Sequence, residues 1–445
     1  MATKKKTSPL KTLLVSLLAL IIGALVGYVF AKFYSINSVE FYLLGEAEEN
    51  VGIGSTYNEA GFVCNIKGED CQDKVVVTYY DESFLVYQDI VTTEAKTYFV
   101  EYKLNVGKIN SKITRKVNVV EIEDLEINFM MLGNQYAGDS IYIKAGNVDI
   151  LVDAGSREDS ALTLTEYMLD DESGYHSYVS DNKLEYVIAT HADQDHIAAF
   201  VGDNGIFNTF EIETLIEFPK TNKSTLVYKA YRSAVQQLEA NGTKVYSALE
   251  CYNEVGDATR VIELAAGIKL EILYNYYYEN HTKNENNYSV CFMLYHGTEK
   301  FLFTGDLENE GNAEEYLVNN NNLGEVYLYK LGHHGSKTSS STVLLSEIKP
   351  KVAVATCVAF TTEYTTNTDN TFPTKAAIDN LVNVGTVQHL YVPSMVSNNS
   401  LGYEPANGNL VVYANENGLD VYCSNSNEDF YNFDIFKQYR KWTVS

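Results

Sequence analysis

The run Leu184-Glu185-Tyr186-Val187-Ile188-Ala189-Thr190 leads directly into His191-Ala192-Asp193-Gln194-Asp195-His196. The first part reads as a buried strand, apolar toward its end. The second places two imidazoles and two carboxylates within six positions, in a chain that has only 8 histidines. In a loop leaving a strand, that spacing lets side chains converge on two adjacent points. Imidazole and carboxylate are the ligands that divalent first-row metals accept. A solvated polar loop is the plain alternative, and the rest of the chain decides between them.

Further groups of the same kind follow apolar strand patterns downstream. "KFLFTGDLE" sets Asp306 after a strand and a glycine, and "VYLYKLGHHGSKTSSS" sets His333 and His334 after another. Gly332 and Gly335 permit a tight bend that aims an imidazole back toward the strand tips. "LVDAGS" ends a further strand with Asp153 and Gly155. Residues gathered at strand ends are the usual arrangement of an α/β site. From Glu126 to about residue 425, strand and helix patterns alternate, which predicts a layered α/β domain over 124–425. The tail, 426–445, has aromatic spacing compatible with a short helix.

The chain of 445 residues carries a net charge of -26, which disfavours passive adhesion to nucleic acid or anionic lipid. Lys4, Lys5, Lys6 and Lys11, in a basic tail at 1–11, precede an uncharged run from Thr12 to Ala31. Twenty helical residues span about 30 Å, the thickness of a bilayer's hydrocarbon. The expected result is an anchor at 12–34, with the N-terminus in the cytoplasm and the bulk of the chain outside a bacterial cell. A cleaved signal peptide, with Val29 and Ala31 before the cut, is the rival. Residues 38–121 show short strand-like runs separated by turns and read as all-β. Export favours disulfides, and Cys64 and Cys71 bracket the short loop "CNIKGEDC", making them the expected pair.

Two resemblances follow from these motifs. Residues 38–121 resemble bacterial immunoglobulin-like surface domains through Gly54, Ser55, Tyr57, Glu59 and Gly61, then Thr97, Tyr98, Val100 and Tyr102. That implies a spacer or adhesion module. The set "LGNQYAGDSIYIK…ILVDAGS…THADQDH…FTGDLE…LGHHGSKTSSS" resembles the metallo-β-lactamase superfamily, in its branch of ComEC-type competence proteins. It implies an αββα sandwich with one or two divalent ions, zinc or manganese, at one edge. By that resemblance, His191 and Asp193 approach a first metal, while Asp195, His196 and His333 approach a second. Asp306 bridges the two, and Asp195 and His334 serve as catalytic groups. A metal-activated water is the implied nucleophile. Asp153, and less strongly Asp139, orient ligands from behind.

The chain departs from the superfamily in two places. Asp193 stands where a histidine is usual, and "ENNYSVCFML" (285–294) offers Asn287 and Ser289 where a third histidine is expected. The first site is therefore oxygen-rich, which favours harder ions such as manganese and leaves a mononuclear or inactive site open. His281 and His296 read as surface histidines. Ser336, Lys337 and Thr338 either hold a substrate phosphate at a helix start or simply cap that helix. The expectation is a membrane-anchored extracellular metal-dependent hydrolase. Its substrate is a phosphodiester, nucleic acid included, and no protein partner is implied. A surface binding protein with a decayed site, or a lactone, ester or lactam hydrolase, are the alternatives.

Overall fold

A computed structural model describes residues 39–443, except 46, 172, 173, 175, 398–400 and 417. The expected anchor at 12–34 lies outside the described residues. Among those described, no helix is long and apolar enough to cross a membrane. The chain divides into two compact units, one formed up to Val51 with Thr56–Val120, the other by Gly52–Ser55 with Glu121–Ser445.

The smaller unit holds a three-stranded and a five-stranded sheet, antiparallel from Val39–Leu43 through Glu69–Asp70 and from Val86–Tyr87 through Ile109–Val120, with Glu48–Gly52 added beside Ile109–Val120. Along the strand Lys96–Val106, Tyr98, Val100, Tyr102 and Leu104 are buried in alternation, the period of a strand with one face in a core. Arg115 is fully buried and is held by Glu49 and by Glu59, whose Oε1 lies 2.9 Å from its Nε. Glu59 also accepts from Gly61 N and from the Tyr57 hydroxyl. The Tyr57–Gly61 motif thus supplies a buried guanidinium with a carboxylate and fixes that carboxylate in place. Cys64 and Cys71 are joined in a disulfide, with 5.2 Å between their Cα atoms.

The larger unit contains two large sheets. The first comprises β1 (Leu125–Phe129), β2 (Ile141–Ala145), β3 (Val148–Val152), β4 (Lys183–Ala189), β5 (Glu211–Glu217) and β6 (Lys244–Ser247). The second comprises β7 (Val261–Ala265), β8 (Ile268–Ile272), β9 (Phe292–His296), β10 (Glu299–Phe303), β11 (Leu328–Lys330), β12 (Val352–Val354) and β13 (His389–Tyr391). The chain then returns to the first sheet with β14 (Leu410–Asn415) and β15 (Gly418–Cys423). The strand orders are β6-β5-β4-β3-β2-β1-β14-β15 and β7 through β13 in sequence. Strands β3 to β6 and β10 to β13 run parallel.

The strand pattern explains the layering. On β9, Phe292 and Leu294 enter a core shared with the first sheet, while Met293 between them enters a second core. Consecutive residues point to opposite faces, so this sheet is covered on both. The shared core takes in Phe129 of β1 stacked near Phe303 of β10, along with Leu164 of α1 (Ser160–Leu169). The short α2 (Gln194–Ile197) follows β4, and α3 (Leu226–Ala240) adds Tyr231 and Val235 to that core. The second core is closed by α4 (Ala313–Asn320), α5 (Thr342–Ile348) and α6 (Lys375–Val384). Phe430 and Phe436 of the expected tail are fully buried in it, so the tail belongs to this core. His296, expected at the surface, is buried, with Nε2 3.1 Å from Glu123 O; His281 is exposed.

Candidate metal centre

The chemistry-bearing residues follow the C-terminal ends of parallel strands. Asp153 follows β3, His191 follows β4, Asp306 follows β10 and the histidine pair follows β11. Parallel strands bring the segments together within each sheet, and the core shared by the two sheets sets both groups of tips at one edge. Gly155 completes this convergence. A Cβ there would sit 1.5 Å from the carbonyl oxygen of Asp195, so only glycine admits the approach.

Asp195, His196, Asp306 and His334 place one ligand atom each within 4.8 Å of one another. His196 Nε2 is 3.1 Å from Asp306 Oδ2, and His334 Nε2 is 3.2 Å from the same oxygen and 3.4 Å from Asp195 Oδ2. Both imidazoles are fully buried, and neither Nε2 has a hydrogen-bond partner. Buried polar atoms are ordinarily partnered. Two orphaned nitrogens aimed at two carboxylates fit a divalent cation with mixed nitrogen and oxygen preference. The electrostatics agree. Burial alone would push His196 and His334 down, yet the surrounding carboxylates, Asp306 foremost, raise both well above the usual histidine value. Burial likewise opposes ionisation of Asp306, but His196, His334 and Lys330 hold it well below the usual carboxylate range. The carboxylates that raise these imidazoles make the pocket's field negative, and a divalent ion would compete there with the imidazole protons.

Each ligand is braced from behind. Asp153 accepts from Thr190 N and Oγ1 and from His196 Nδ1, all at 2.7 Å. That carboxylate keeps the proton on Nδ1 and leaves the Nε2 lone pair for the cluster. Asp139 Oδ1 is 3.2 Å from His334 Nδ1, at ion-pair distance though off the line of a hydrogen bond. Asp139 also receives Thr356 Oγ1 and Lys330 Nζ. Lys330 is almost wholly buried and bonds Asp139, Asp306 Oδ1 at 3.2 Å and Gly305 O at 2.9 Å. Its three N–H donors are satisfied, and it turns Asp306 so that Oδ2 faces the histidines. The sequence reading missed Lys330. Its signal was a charge inside the apolar strand "VYLYKL", since lysine is rarely buried without partners.

The structure places the adjacent histidines otherwise than expected, with His334 rather than His333 in the cluster. His333, expected as a ligand, is a quarter exposed in its side chain, and its Nδ1 is 2.5 Å from Glu308 Oε1. His334 stands among the carboxylates instead. Both residues have left-handed backbones, with φ of 45° and 57°. Two such residues in succession reverse the chain so that the second, not the first, points back to the strand tips. Glu308, also unforeseen, accepts from Thr338 Oγ1 at 2.6 Å and from Asn284. Thr338 in turn shares a hydrogen bond with Ser336 Oγ. These hydroxyls are spent on the loop itself, and Lys337 is exposed. The helix start is capped by Ser341, which accepts from Leu344 N.

The other expected ligands stand apart. His191 and Asp193 belong to neither group of three or more ligand atoms found among the described residues. His191 Nε2 is 3.6 Å from Asp193 Oδ2 and has no hydrogen bond. Asp193 is ion-paired with Lys223. Ser289 Oγ accepts from Asp306 N at 3.0 Å and lies 3.4 Å from His191 Nδ1, so it braces the site. Asn287 accepts from Glu308 N and donates to Glu310 O, holding the loop after Asp306.

No protein-family profile matches the chain. The chain is similar to ComE operon protein 3 of Bacillus subtilis, 29% identical over 175 residues, covering 39% of this chain and 20% of that protein. It is also similar to Recombination protein 2 of Haemophilus influenzae, 37% identical over 73 residues, covering 16% of this chain and 9% of that protein. The chain therefore spans a fifth or less of the length of these curated relatives. A solved chain named "Putative metal-dependent hydrolase from Parabacteroides distasonis" aligns with 61% of this chain and 93% of its own, at 13% identity. Its TM-score of 0.31 is too low for that likeness to carry an argument.

Proposed function

We propose that the chain is a metal-dependent hydrolase of the metallo-β-lactamase fold, acting on phosphodiesters, nucleic acid strands among them. The observation that carries this reading is the pair of unpartnered Nε2 atoms on His196 and His334, set against Asp195 and Asp306 at the strand tips. The local similarity to competence proteins supports the same branch. Asp195, His196, Asp306 and His334 would hold the ion. What a bound divalent ion supplies is Lewis acidity and a more acidic water. The chain's own residues do the rest. Asp153 keeps the His196 proton on Nδ1, Asp139 stands beside His334 Nδ1, and Lys330 holds one oxygen of Asp306 away from the histidines. These braces keep lone pairs directed at one point before substrate arrives. In this reading the exported domain is tethered by residues 12–34, with the small β unit as an immunoglobulin-like spacer.

The test is elemental analysis of the purified chain beside turnover of an activated phosphodiester, a lactone and a β-lactam in manganese or zinc. Bound metal with phosphodiester turnover supports the proposal. Turnover of only the lactone or lactam moves the assignment to carbon esters. A chain that takes up no divalent ion at any concentration overturns it.

A further inference from the structure

We infer that this centre holds a single divalent ion, and that the Lys223 ammonium beside Asp193 supplies the positive charge a second ion would bring to the substrate. This deepens the hydrolase reading and rests on it for the substrate, but not for the ion count.

Two independent observations carry it. The first is the state of Asp193. Of the four groups in the His191–His196 motif, Asp195 and His196 enter the tight cluster while His191 and Asp193 do not. Asp193 Oδ1 is engaged by Lys223 Nζ, and Asp193 Oδ2 faces His191 Nε2 at 3.6 Å. A carboxylate already neutralised by an ammonium is a poor ligand, and one imidazole cannot hold an ion alone.

The second observation is what fixes Lys223. Its loop, 220–223, is tied to the segment 279–285. Thr221 Oγ1 donates to Glu285 Oε1 at 2.5 Å, and Asn222 N donates to Glu285 Oε2 at 2.7 Å. Asn222 Nδ2 donates to Thr282 O at 2.9 Å, and Lys220 Nζ to Glu279 O. Glu285 is nearly buried and gives both oxygens to this loop. Residues 285–294 are where a third histidine was expected. That segment supplies no imidazole; it clamps a lysine-bearing loop instead. Lys223 keeps part of its side chain at the surface, with a relative accessibility of 30%, so the side chain is within reach of an arriving anion. An ammonium can offer a phosphodiester oxygen a single positive charge and an N–H donor, without the Lewis acidity of a metal.

The experiment uses the full chain, stripped of metal and reloaded with Mn2+ alone, with inorganic phosphate as the anion probe. Wild type is expected to take one ion tightly, with the electron paramagnetic resonance of an isolated Mn2+. Lys223→Met should retain that ion and weaken phosphate binding by about tenfold or more, the effect of one lost charged hydrogen bond. Lys223→Arg should restore most of it. With Asp193 released, Lys223→Met should also admit a second, weaker ion at high Mn2+, seen as spin coupling. Two tight, spin-coupled ions in wild type would overturn the inference, and so would unchanged phosphate binding in Lys223→Met. One bound ion with no turnover of any ester would leave the ion count standing and reject the hydrolase.

Discussion

The two halves of the opening motif make unequal contributions. Asp195 and His196 meet Asp306 and His334, and every one of these side chains except that of Asp195 is essentially buried. His191 and Asp193, a few residues earlier, meet hydroxyls and a lysine. The residue types are the same in both halves. The difference lies in what other segments bring: one half receives imidazole and carboxylate from β10 and β11, the other a serine and an ammonium. A metal motif is only half of a metal site.

The sharpest way to break this comparison is to remove a group from the furnished half. His334→Ala should lower metal affinity by more than about a hundredfold, since even outer partners of a ligand typically cost 10–100-fold. Turnover should fall with it, measured by metal content and phosphodiester assay across a manganese titration. Retained metal would return the ligand role to His333. Lys330→Met leaves Asp139 and Asp306 buried without their cation. It should destabilise the fold by about 3–5 kcal/mol, read by denaturant unfolding. Asp153→Ala frees the His196 ring and should cost about 10–100-fold in metal affinity while the fold survives.

The pH dependence sharpens the same contrast. His196 and His334 are raised in the metal-free protein, so their pairs with the carboxylates contribute stability below the ordinary histidine value. That contribution is lost as pH rises through the folded values. Metal-free protein should therefore lose thermal stability from acidic toward alkaline pH. Metal affinity should climb over the same range, by about tenfold per pH unit for each proton displaced. Calorimetric titration with Mn2+ at several pH values checks the slope; a flat profile would exclude the two imidazoles as ligands.

The smallest effects are expected in the other half. His333→Ala and Asp193→Ala should each change affinity for the tight ion by no more than about threefold, because neither side chain enters the cluster. A large loss in Asp193→Ala would make the two halves equivalent.

Much of this was legible in the chain. The strands before Asp153, His191, Asp306 and His333 are apolar runs ended by glycine or polar residues, and that local contrast is what burial imposes on parallel strands. The start of helix α5 was readable from the hydroxyl-rich run that precedes it. The small unit's strands were readable by alternation.

What the sequence by itself determined is the inventory: which strand tips carry the imidazoles and carboxylates that could hold a cation. Only the tertiary structure decided the assignment within it. Neighbouring residues such as His333 and His334 are equivalent until backbone torsions send one inward. Lys330 shows in the chain only as a charge inside an apolar run, and Glu308 and Lys223 stand in ordinary polar loops, so nothing local names their partners. The groups their charged side chains meet lie 22 or more residues away in sequence. For those residues function is a matter of distance, and distance is set by packing rather than by local pattern.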